Sequence, residues 1–99
     1  MSLGIWEKFL NSSEVKILLY LNKEREARYS KLKDSVDSRA TLDWALRELL
    51  RKEVVKRTII DTHPIQTTYS LTPKGEQAVK HLIELIKIVL KETHLNELG

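Results

Sequence analysis

Ser38-Arg39-Ala40-Thr41-Leu42-Asp43-Trp44-Ala45-Leu46-Arg47-Glu48-Leu49, with Val54-Val55-Lys56-Arg57-Thr58-Ile59-Ile60 shortly after it, changes its periodicity part-way along. In the first run Leu42, Ala45, Leu46 and Leu49 recur at intervals of three and four, the apolar stripe of a helix. Ser38 precedes it as a residue whose hydroxyl can take an otherwise unpaired amide of the first turn. Winding at about 100° per residue puts Ala40, Trp44, Arg47 and Arg51 opposite the stripe. The outward face is therefore small, aromatic and basic. The second run is β-branched and has strand character. Residues 61–66, with His63 and Pro64, read as a turn, and residues 67–71 as the returning strand, so that the two strands form a hairpin.

Upstream, Ser12 or Ser13 can cap a helix carrying Val15, Leu18, Leu19 and Leu21 and running to about Lys23, with Glu14 well placed in its first turn. Ile5, Trp6, Phe9 and Leu10 have the spacing of a short preceding helix, and residues 24–28 read as a polar link. A short helix is expected from Tyr29 or Ser30 through Leu32 to Val36, ending by Asp37. Downstream, Thr72 followed by Pro73 is a helix start, because proline at the first helical position loses no hydrogen bond. That last helix should run to about Asn96. The fold class is α+β, mainly α: three helices, a β-hairpin and a long C-terminal helix, which is the order of a winged helix-turn-helix.

The totals agree. Ninety-nine residues suit a single domain, with residues 1–71 forming the helices and wing and residues 72–99 the last helix. A composition 41% hydrophobic and 31% charged is that of a chain that folds. Lysine and arginine exceed aspartate and glutamate by 17 to 14, an excess that permits contact with a polyanion without demanding it. With no cysteine, disulfides, thiolate metal sites and cysteine nucleophiles are excluded. Glu7 and Lys8 interrupt the apolar start, and Glu84 and Lys87 break the most apolar stretch, residues 82–90. Neither a secretory signal nor a membrane span is expected, which makes the cytoplasm the expected location.

Two segments resemble known regulators. Residues 38–49 with Val54-Val55-Lys56-Arg57 look like the recognition helix and first wing strand of MarR-, PadR- and HxlR-type winged-helix transcriptional regulators. Tyr69-Ser70-Leu71-Thr72-Pro73-Lys74-Gly75 is similar to the strand-to-helix junction that closes the wing in those families. The resemblance runs from about Ser13 into the last helix and places the expected source among prokaryotes, archaea included. It implies a non-enzymatic, sequence-specific regulator acting on double-stranded DNA. Two departures stand out. Glu53 occupies a place where these regulators usually have glycine, and Thr62, His63, Pro64, Ile65 and Gln66 replace the arginine or lysine common at the wing tip.

The DNA-binding candidates on the recognition helix are Ser38, Arg39, Ala40, Thr41, Asp43, Trp44, Arg47 and Arg51. Arginine can donate a bidentate pair to guanine, and an alanine or aromatic can meet a thymine methyl. Tyr29, Ser30, Lys31 and Lys33 lie where helix-turn-helix proteins touch phosphates. Lys56 and Arg57 alternate in direction, so at most one can face DNA; Arg57 is carried as the candidate, with His63 at the wing tip. The ordinary alternative is a solvated surface residue, and for Trp44 it is packing on the short second helix or at a crystal or dimer contact. In the last helix Val79, Leu82, Ile83, Leu85, Ile86, Val89 and Leu90, with Ile88, cover more than half of the circumference. One domain needs a narrower stripe, so these residues are expected to form a homodimer interface, the alternative being a monomer in which the N-terminal Trp6 and Phe9 cover the extra face.

Two such recognition helices would read an inverted repeat with half-sites about one helical turn apart. The competing readings are a protein-docking winged helix, with Trp44 as its anchor, and a sequence-independent, chromatin-like DNA binder. No catalytic residue, metal site or cofactor is expected. His63, His81 and His94 are too dispersed to share a metal, and Gly4, Gly75 and Gly99 form no phosphate-cradling loop. Whether a small-molecule effector exists is left open.

Overall fold

The computed structural model describes the backbone of residues 8–98 and the side chains of residues 8–90. Residues 8–10 are helical, in keeping with the expected first short helix; Ile5 and Trp6 lie outside the described residues. Helix α1 (Ser13–Glu24) starts on Ser12, whose hydroxyl accepts the Val15 N–H at 3.3 Å. It stops at Arg25, in the left-handed region with φ 74°.

The expected polar link then contains a short strand, β1 (Glu26–Arg28). Three residues with one apolar side chain, Ala27, carry no readable strand pattern. The strand exists because β3 supplies its pairing partners, a tertiary effect. The expected helix through Val36 is shorter than foreseen. Helix α2 (Tyr29–Leu32) passes into a 3-10 turn (Lys33–Ser35), and Val36 is already extended. Helix α3 (Arg39–Arg51) follows, its first turn capped by the Ser38 hydroxyl, which accepts the Thr41 N–H at 3.1 Å.

Strands β2 (Val55–Ile60) and β3 (Gln66–Leu71) form the hairpin, and the sheet order is β1-β3-β2, antiparallel throughout. Arg57 pairs with Tyr69 and Ile59 with Thr67. Helix α4 (Pro73–Leu98) completes the chain. Its 26 residues make a rod of roughly 39 Å at 1.5 Å per residue. This rod accounts for the elongated outline of 58 × 27 × 21 Å.

The core brings together Ile17 and Leu21 of α1, Leu32 of α2, the stripe Leu42, Ala45, Leu46 and Leu49 of α3, Val55, Tyr69 and Leu71 of the sheet, and Val79 of α4. Val79 therefore leaves the expected interface set. It lies in the second turn of α4, where that helix still crosses α1 and β3, and is fully buried within its own chain. Beyond it Ile83 packs on the core, Leu82, Ile86 and Val89 are half-buried, and Leu85, Ile88 and Leu90 are exposed.

Helix α3 ends in a tight reversal despite lacking glycine. The Val54 N–H reaches the Leu49 carbonyl at 3.2 Å and the Glu53 N–H the Leu50 carbonyl at 3.0 Å. This pair of bonds is a Schellman cap with Glu53 in the left-handed position, φ 60°. The conformation that glycine would adopt freely is thus imposed on a residue with a Cβ.

Candidate nucleic-acid interface

The buried stripe of α3 fixes what the helix turns outward. With Leu42, Ala45, Leu46 and Leu49 in the core, Ala40, Asp43, Trp44, Arg47 and Arg51 are all exposed, and Trp44 keeps 52% of its surface open. Trp44 is thus an open tryptophan on a helix whose apolar side is already filled. Thr41 is half-buried, its hydroxyl accepting a hydrogen bond from Ser38 at 2.8 Å. Arg51 is held along the helix by Glu48 at 2.8 Å. This contact draws the Glu48 carboxyl below its ordinary pKa and raises that of Arg51.

The start of α2 is tied to this face. The Tyr29 hydroxyl donates to Asp43 Oδ1, and the Arg39 guanidinium lies 5.8 Å from the centre of the Tyr29 ring. The hydrogen bond to Asp43, with a smaller contribution from desolvation, raises the Tyr29 pKa above its ordinary value. The phenol therefore remains a donor throughout the neutral range. Tyr29, Asp43, Leu46 and Arg47 form one wall of a cleft, and Arg57 and Tyr69 on the wing form the other. Arg57 is thus the wing cation beside the recognition helix. Lys56, one residue away in the same strand, points to the opposite side of the sheet.

The remaining candidates are not gathered there. Ser30 and Lys31 open onto a second cleft with Arg28, Tyr20, Ile60 and Gln66. Lys33 is exposed on the 3-10 turn. His63 sits in the exposed wing turn, where the Thr62 hydroxyl donates to the Pro64 carbonyl at 2.8 Å. Around it Ile59 and Ile65 are more than 60% exposed, so the outer wing is apolar where a phosphate-binding wing would be basic.

Sequence periodicity missed two features of this site. One is the Tyr29–Asp43 bond, which joins residues 14 apart on different helices. The other is Tyr69, which lines the wing side of the cleft. Among the described residues no cluster of histidine and carboxylates could hold a metal ion, and no helix is long and apolar enough to cross a membrane.

Residues 12–97 match the model of the HxlR-like helix-turn-helix family. The chain belongs to that family. Solved structures agree with this assignment. A candidate transcriptional regulator, ytfH, from Salmonella typhimurium is 26% identical, with a TM-score of 0.63 over 93% of this chain and 87% of that one. A candidate MarR-family regulator from Porphyromonas gingivalis W83 is 27% identical, with a TM-score of 0.62 over 85% and 87%. A transcriptional regulator homologue from Pyrococcus horikoshii OT3, at 24% identity and a TM-score of 0.71 over 80% of each chain, shares the fold. No sequence among curated proteins matches it. The HxlR-like chain is thus homologous to transcriptional regulators of the DNA-binding helix-turn-helix type.

Proposed function

We propose that this HxlR-like protein is a sequence-specific regulator that binds double-stranded DNA as a homodimer, α3 of each copy entering the major groove. The observation that carries this reading is the exposed face of α3, on which Arg47 stands across a cleft from Arg57 of the wing, beside the open Trp44. Arg47 would read guanine, Trp44 and Ala40 would meet thymine methyls, and Arg57 would hold a phosphate beside them. Dimerisation draws support from Leu85, Ile88 and Leu90, which α4 leaves exposed beyond its own core. The expected operator is an inverted repeat with half-sites about 10 base pairs apart, bound in the cytoplasm.

Selection of bound duplexes from a random pool, repeated with Arg47→Ala, tests the reading. An enriched inverted repeat whose preference at one position relaxes in the variant, at a cost of about 1–3 kcal/mol, is the expected outcome. Equal recovery of all duplexes would favour a chromatin-like binder. The exposure of Trp44 also suits a protein-docking surface, and no recovery at low salt would favour that function.

A further inference from the structure

Three contacts bind the turn after α3 to the start of α4, and a fourth caps α4 itself. The Lys74 ammonium donates to the Lys52 carbonyl at 2.9 Å, and the Thr72 hydroxyl donates to the Glu53 carbonyl at 2.6 Å. The Thr72 N–H reaches the Val54 carbonyl at 3.1 Å, and the Gly75 N–H is taken up by the Thr72 hydroxyl at 3.0 Å. Gly75 is pressed so closely on this turn that a Cβ there would fall 1.9 Å from the Val54 oxygen. The carbonyls of Lys52, Glu53 and Val54, in the turn that follows α3, are thus all filled from Thr72 and Lys74 at the start of α4. Thr72, Lys74 and Gly75 do not line the cleft between α3 and the wing.

We infer that Thr72 and Lys74 are positioning residues that lock the angle between the recognition helix and α4, and thereby set the half-site spacing the protein accepts. This inference rests on the dimeric reading above, in which the two recognition helices are joined through the two α4 helices. The magnitude follows from the lever. Leu90 lies 15 residues beyond Gly75, roughly 22 Å along the helix at 1.5 Å per residue. An angular slack of about 10° at the junction therefore moves the far end by roughly 4 Å, which is close to the 3.4 Å rise of one base pair. A rigid junction discriminates between spacings one base pair apart; a loose one does not. Loss of these bonds should change spacing tolerance without changing which bases each half-site prefers.

The test is a series of inverted repeats carrying the selected half-site at spacings from three base pairs shorter to three longer than the optimum. Affinities are measured for the full chain and for Lys74→Met, Thr72→Val and Lys74→Arg. Expected are a sharp optimum for the unaltered protein, a discrimination between adjacent spacings reduced by at least about threefold in Lys74→Met and Thr72→Val, unchanged half-site base preference, and recovery in Lys74→Arg. Affinity falling by one factor at every spacing would mean that the junction merely stabilises the fold, and an unaltered spacing profile would mean that it positions nothing; either overturns the inference. Should Thr72→Val fail to fold, Lys74→Met carries the decision alone, since it removes one exposed bond. A single half-site bound as tightly by the unaltered protein as any inverted repeat would instead overturn the dimeric reading beneath the inference.

Discussion

Helices α3 and α4 are built from similar residue types and end in different states. The apolar stripe of α3 is wholly consumed by its own domain, with Leu42 and Ala45 inaccessible and Leu46 and Leu49 nearly so. Only the first turns of α4 are completed in this way, through Val79 and Ile83. Further along, Ile88 is 56% and Leu90 57% exposed. The difference lies in what each helix crosses. Helix α3 packs along its length on α1 and the sheet, whereas α4 outruns both. A filled stripe leaves a helix's opposite face free, as the DNA-binding proposal for α3 requires; an unfilled one is what the proposed pairing of α4 with a second copy rests on.

The contrast can be broken most directly in the core. Leu42→Ala is expected to cost about 2–5 kcal/mol in denaturant melts, because it opens a cavity among fully buried neighbours. Ile88→Ala should cost the folded protomer little and instead weaken a concentration-dependent association seen by sedimentation. Equal losses from the two, independent of concentration, would mean that α4 is already satisfied within one chain. At the junction between the helices, Gly75→Ala should destabilise by about 1–3 kcal/mol, since the Val54 carbonyl stands where the methyl would go. An unchanged melting midpoint would show that the two helices are not tightly apposed.

Two smaller effects sharpen the picture of α3. Glu53→Gly should raise stability by about 0.5–1 kcal/mol, through relief of a left-handed residue in the cap. A loss of stability would mean that the Glu53 side chain holds the turn. Smallest is the response of Tyr29. Its raised pKa means that the Asp43 bond favours the protonated phenol, so any stabilisation is present below the ordinary tyrosine range and disappears as pH rises through the shifted value. Absorbance titration should show the Tyr29 phenol ionising late, and Asp43→Asn should bring it down; a Tyr29 that titrates unshifted in the unaltered protein would remove the link between α2 and α3.

How far the sequence carried the reading is clear from particular residues. The stripe of α3, its Ser38 cap, the β-branched hairpin and the Thr72-Pro73 start are all local: period, capping chemistry and backbone restriction each act within a few residues. The outward face of α3, with Ala40, Trp44, Arg47 and Arg51, followed from the same helical geometry. Tertiary structure alone decided the rest. Strand β1 needed β3 to exist, Glu53 took the left-handed cap because the chain must reverse there, and Val79 passed from the expected interface into the core because α4 crosses α1 before it leaves the domain. Asp43 met Tyr29, and Arg57 rather than Lys56 came to flank the recognition helix, through the placement of elements distant in the chain. Local patterns report which side of an element is apolar; only the assembled fold determines where another element ends and so which apolar residues it leaves uncovered.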